Sequence, residues 1–112
     1  MTLTIRTLHE DQRVRLVLAG EIDYATAPRL RAAISAVLNR GTARRLVLDL
    51  RDVTLLDSVG IATLVAAHRI CEQIGTRLHV RSANPFVTRT LRLVGIADML
   101  DLEATVEIRT PA

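Results

Sequence analysis

Asp57-Ser58-Val59-Gly60 is the stretch whose residue types and spacing best suit chemistry. It follows an apolar run and opens a helical pattern, and Ser58 is expected to be the N-cap, its oxygen accepting from an unpaired backbone N–H. A phosphate on Ser58 would meet unpaired amides and the positive end of the helix dipole, so the domain's own fold would tolerate it. The same group adds about −2 of charge beside Asp57 and would repel an acidic or apolar partner. Gly60, lacking a Cβ, would let a partner approach the backbone closely.

Other chemistries find less support. A strand, then Ser58, then a helix has the outline of a nucleophile elbow, but the glycine two residues before the serine is replaced by Leu56. A hydrolase using Ser58 stays open as an alternative, without a base nearby in the chain. His9, His68 and His79 fall in a turn, a helix and a strand, and no spacing of His, Cys and carboxylates suggests a metal site. Asp49, Asp52 and Asp57 cluster around the exit of the third strand, where loop and turn capping accounts for them. Cys71 reads as a small buried hydrophobe on a helix. No cofactor is expected.

The elements that must hold Ser58 follow from periodicity. Leu3, Ile5 and Thr7 alternate with polar neighbours, as do Val14, Leu16 and Leu18, giving two strands joined by a turn over His9–Gln12. Gly20–Asp23 leaves the second strand. Ala27, Leu30, Ala33, Ile34, Val37 and Leu38 mark one face of a helix, with Pro28 in its first turn and Gly41 beyond its end. Arg45–Leu50 is an interior strand and 51–58 a loop. A second helix, apolar nearly all round, runs from Ser58 to Ile74 and stops at Gly75. Such a helix is either buried on most sides or offers an apolar flank to a partner. Arg77–Arg81 is a strand. Asn84-Pro85 opens a third helix with Val87, Thr90, Leu91 and Val94 inside, and 101–109 holds a last strand using Leu102, Val106 and Ile108. The order β-β-α-β-α-β-α-β implies an α/β fold, a mixed sheet of four to five strands backed by helices.

Composition narrows the function. The 112 residues make one domain, 49% hydrophobic and 24% charged, with one Tyr, one Phe and no Trp. The core must be aliphatic. All 15 basic residues are Arg; without Lys, Walker-type phosphate loops, Schiff-base enzymes and receiver domains with an essential Lys are excluded. The net charge is +3, with arginines spread along the chain among 12 carboxylates. Direct nucleic-acid binding would want them clustered, with stacking aromatics. A single cysteine, no membrane-length apolar run and no signal-peptide pattern suggest a cytoplasmic protein without membrane insertion.

The chain resembles STAS domains, specifically the bacterial anti-sigma-factor antagonists, over almost its whole length, 1–112 with a core of about 3–109. The marks are Gly20-Glu21-Ile22-Asp23, Thr26-Ala27 with Leu30, the run from Leu48 through Asp57-Ser58-Val59-Gly60, and Val87 to Ile96. Val59 stands where close relatives commonly have a small hydroxyl residue. The resemblance implies that the unphosphorylated domain binds an anti-sigma factor, a serine kinase with a histidine-kinase-like ATP fold, and so releases a sigma factor. Ser58 is then the phosphoacceptor, and a phosphatase restores the active form. The implied partner-binding residues are Asp23, Asp57, Ser58, Val59, Gly60, Ala62 and Thr63. The same fold also serves as an accessory subunit of membrane lipid transporters or in sensor complexes, where the serine would only cap a helix.

Overall fold

A computed structural model describes residues 2–104. The elements are β1 (Leu3–Glu10), β2 (Arg13–Ile22), α1 (Ala27–Asn39), β3 (Arg45–Leu56), α2 (Ser58–Ile74), β4 (Arg77–Ala83), α3 (Pro85–Leu93) and β5 (Glu103–Ala104). They form one five-stranded sheet in the spatial order β1-β2-β3-β4-β5. β1 and β2 pair antiparallel, and every later neighbour is parallel. The mixed α/β architecture expected from the pattern is the one observed.

Each strand has a reason to be where it is. Glu10 pairs with Arg13, so the β1–β2 turn is only Asp11 and Gln12, and Asp11 takes the left-handed conformation (φ 57°) that such a short turn demands. β1 therefore runs through His9, further than alternation suggested. In β3, Leu46, Val47, Leu48, Asp49 and Leu50 are all buried, as befits the middle of a parallel sheet. Leu30 and Ile34 of α1, Leu64 and Cys71 of α2, and Leu91 of α3 join the leucines of β2 and β3 in one aliphatic core. Both aromatics stay outside it: Tyr24 is 69% exposed and Phe86 46%.

Several boundaries differ from the sequence expectation. Residues 51–56 are not a loop but the second half of β3. They pair with Ala19–Ile22, which continues β2 past two register shifts, and Val53 and Leu56 turn inward. Exposed Arg51 and Asp52 hid this from pattern reading. In α3 the buried set is Val87, Thr88 and Leu91. Thr88 donates to the Ala83 carbonyl at 3.0 Å, whereas the Thr90 hydroxyl turns back to the Phe86 carbonyl and Val94 lies exposed at the C-cap. β5 is two residues long where described, and the expected contributions of Val106 and Ile108 lie outside the described residues. Among the described residues no helix is long and apolar enough to cross a membrane.

The close crossing that fixes the site is at Gly60, in the first turn of α2. A Cβ there would sit 2.6 Å from the Ile22 carbonyl oxygen and 2.9 Å from the side chains of Ile22 and Leu56. The end of β2 therefore packs directly on the α2 backbone. The nearest obstacle is main chain and cannot swing aside, so we expect Gly60→Ala to destabilise the domain by about 1–3 kcal/mol, read as a lower midpoint of urea unfolding.

Candidate functional site

The site forms where β2 and β3 end and α1 and α2 begin. β3 is the central strand, and α2 starts two residues after it, so the polypeptide turns sharply at Asp57. The N-cap of α2 is Asp57, not Ser58. Asp57 has extended geometry (φ −89°, ψ −178°), and its Oδ1 accepts the Gly60 amide at 2.8 Å. Its Oδ2 accepts the Tyr24 amide from the β2–α1 loop at 3.0 Å, and its own N–H donates to the Ile22 carbonyl at 3.2 Å. One carboxylate therefore closes the helix end and ties the two loops together.

The expectation of Ser58 as cap is thus corrected. Ser58 is the first residue of α2, exposed, and its hydroxyl has no hydrogen-bond partner among the described residues. The amides of Ser58 and Val59 lie in the first turn, where the helix supplies no acceptor. An exposed, unengaged hydroxyl at the positive end of a 17-residue helix is what the structure presents.

The other expected partner-binding residues divide into two layers. Val59 is 38% exposed and Ala62 is exposed four residues beyond Ser58, on the same flank of α2. That flank continues through exposed Ala66 and Ile70 and borders a groove of about 140 Å³ between α1 and α2, lined by Ile34, Leu38 and Ala67 among others. The apolar circumference of α2 thus leaves one side uncovered.

Asp23, Gly60 and Thr63 lie beneath this surface. Asp23 is 1% exposed, and its Oδ1 accepts the amides of Ala25 and Thr26 at 2.9 and 3.0 Å, while the Thr26 hydroxyl accepts the Asp23 amide at 3.0 Å and donates to the Glu21 carbonyl at 2.7 Å. It shapes the loop that carries Tyr24 rather than facing outward. The Thr63 hydroxyl donates to the Val59 carbonyl at 2.8 Å inside α2. Gly60 is occupied by the crossing with β2, so it serves internal packing. Tyr24 is the surface residue that sequence reasoning missed. One of two aromatics in the chain, it stands next to Asp23 just before the first helix, and that placement could have flagged it.

The histidines and the cysteine have other surroundings. His68 faces Glu72 at 3.5 Å, His79 contacts Asp101 and Glu103 at 3.1 Å each, and His9 lies 3.5 Å from an Arg40 nitrogen. None of them bonds Ser58. Cys71 is fully buried, and burial pushes its thiol pKa up, away from the thiolate. Asp49 accepts the Arg51 amide at 3.1 Å, so with Asp57 at its cap the acidic group is split between turn roles. Among the described residues no group of three or more His, Cys, Asp or Glu is placed to hold a metal.

Comparison with known proteins supplies the family. The profile described as "Mlab, STAS domain" matches residues 5–102. The chain belongs to the STAS domain family. It is similar to the anti-sigma-B factor antagonist of Bacillus subtilis, with 25% identity over 107 residues covering 96% of each chain. Among solved structures it is similar to an anti-sigma factor antagonist from Mycobacterium paratuberculosis, at 31% identity and a TM-score of 0.81 over 94% of this chain and 88% of that one. The fold is also that of the antagonist SpoIIAA in its unphosphorylated form, with a TM-score of 0.78 at 19% identity over 93% of this chain and 90% of that one.

The assignment of the cap has a direct consequence for this STAS domain. Removing the Asp57 carboxylate leaves two amides without their acceptor, so Asp57→Ala should cost about 2 kcal/mol or more. Ser58→Ala removes no hydrogen bond and should stay within about 0.5 kcal/mol of the parent. Paired chemical-denaturation curves check both, and a larger loss at Ser58 than at Asp57 would contradict the capping assignment.

Proposed function

We propose that this STAS domain is an anti-sigma-factor antagonist whose binding is switched at Ser58. Unphosphorylated, it docks on a serine-kinase anti-sigma factor through Tyr24, Ser58, Val59 and Ala62 and so frees a sigma factor. The kinase transfers the γ-phosphoryl group of ATP to the Ser58 oxygen, the bond from the β–γ bridging oxygen to the γ-phosphorus breaks to release ADP, the hydroxyl proton leaves to solvent, and the complex separates. A phosphatase hydrolyses the phosphoserine and restores the binding form. The domain itself acts as a binding module. Relatives named as anti-sigma factor antagonists, matched over 96% and 88% of their own length, support the antagonist part of this reading.

The single observation that carries the proposal is the separation of cap and acceptor. Asp57 holds the helix end, so the Ser58 hydroxyl is exposed and owes nothing to the fold. A phosphate there would carry about −1.5 to −2 of charge. The helix dipole and first-turn amides moderate its effect on the domain itself. Its effect on a partner is the opposite, because it stands beside the Asp57 carboxylate among exposed apolar groups that must shed water to dock.

Incubation with the cognate anti-sigma kinase, ATP and magnesium should add one phosphoryl group, located at Ser58 by tandem mass spectrometry. Ser58→Ala should form a kinase complex that ATP no longer dissolves, and Ser58→Asp should bind about tenfold more weakly or worse. A phosphate found on any other residue, or none at all, would remove the basis for the switch.

A further inference from the structure

A second site is built at the opposite end of the sheet. Arg13, Arg45 and Arg77 are the first residues of β2, β3 and β4. Their registers coincide, Arg13 beside Arg45 and Arg45 beside Arg77. Adjacent strands lie about 4.8 Å apart, so the three form a row roughly 10 Å long, and laterally paired residues share a face of the sheet. All three line one cavity of about 190 Å³, with Arg81 and His79 further along the same face.

Glu10, the β1 neighbour of Arg13, lies abreast of the row but is drawn to Arg15 at 3.7 Å. The carboxylates that border the cavity, Asp101 and Glu103, are drawn to His79 at 3.1 Å each, and Glu103 also meets Arg81 Nε at 3.7 Å. Among the described residues Arg13, Arg45 and Arg77 make no ion pair or hydrogen bond through their side chains, and Arg13 Nε is buried without a partner. Like charges directly abreast on a sheet oppose folding, and a buried unpaired guanidinium N–H adds to that cost. Both costs fall when an anion sits among the three groups.

We propose that this row binds a short linear oligophosphate, a chain of two or three phosphoryl groups either inorganic or carried by a nucleotide. Guanidinium forks match phosphate oxygens in pairs. The cavity holds roughly six waters' worth of volume at ~30 Å³ each, which suits a small anion and not a folded surface. A triphosphate spreads its charge along a line, as the arginines do. Twelve residues of β3 put about 36 Å between this row and the Ser58 end, so an anion here leaves the partner face clear.

Isothermal titration of the full chain with sodium tripolyphosphate should show saturable one-to-one binding. Arg45→Gln and Arg77→Gln should each weaken it about tenfold, while Arg31→Gln on α1 should leave it unchanged. An ATP arm without magnesium identifies the source: binding as tight as tripolyphosphate or tighter supports a nucleotide's phosphate chain, and weaker binding supports the inorganic one. In the unsubstituted chain the anion should raise the melting temperature and shift the Arg13 Nε–H resonance. Absence of saturable binding, a resonance shift confined to other arginines, or undiminished binding by both glutamine variants would overturn the proposal.

Discussion

The Asp57 carboxylate is the joint on which the candidate site depends. Its two oxygens face in two directions, one to the Gly60 amide at the start of α2 and one to the Tyr24 amide on the neighbouring loop. A helix that begins two residues after a central strand exposes its first amides at the point of sharpest turning, and those amides must be satisfied from nearby. Had Ser58 been the cap, its oxygen would have been committed to the backbone, and modifying it would have altered the helix end directly. With the cap one residue earlier, the serine is held in place by the helix but is chemically uncommitted. Fold and proposed switch are thereby assigned to adjacent residues that do not compete.

Beneath that joint lies a buried layer. Asp23 orders the β2–α1 loop through the amides of Ala25 and Thr26, Gly60 admits the Ile22 carbonyl, and Thr63 is tied back to Val59. These contacts are internal and hydrogen-bonded, so they fix Tyr24, Ser58, Val59 and Ala62 relative to one another before any partner arrives. A preset surface loses little conformational entropy on docking. It also means that the proposed phosphate works by changing the charge of a fixed surface, with no need for a second fold.

Much of this could be read from the chain, and the unread parts share a physical cause. Helical periodicity placed α1, through Leu30, Ile34 and Val37, whereas α2 was legible as an apolar run closed by Gly75, and it buries Leu64, Ala67 and Cys71. The second half of β3 escaped notice because Arg51 and Asp52 are polar, and a strand half facing solvent at its end carries too few apolar positions to alternate visibly. At Asp57-Ser58 the sequence offers two good capping residues in succession, and only the backbone conformation decides between them. The resemblance put Asp23 among the partner-binding residues, and its burial comes from a turn formed with Thr26 that spacing alone does not show. The arginine row is the clearest case of what spacing conceals: residues far apart in the chain become lateral neighbours only once three strands are in register.

The two ends of the sheet differ in a way that follows from strand direction. β2, β3 and β4 run parallel, so their first residues gather at one edge and their exits at the other. The first edge carries Arg13, Arg45 and Arg77; the exit edge carries Asp23 and Asp57. Charge that is nearly balanced over the whole chain is therefore separated along the strands. At physiological ionic strength screening acts over about 8 Å, and the two edges lie several such lengths apart. A phosphate on Ser58 and an anion on the arginine row would not sense one another through solvent. Coupling would have to pass through β3, whose Leu46–Leu50 segment is buried and packed in the core. The physical expectation is two sites that work independently on one rigid strand, each governed by the chemistry at its own end.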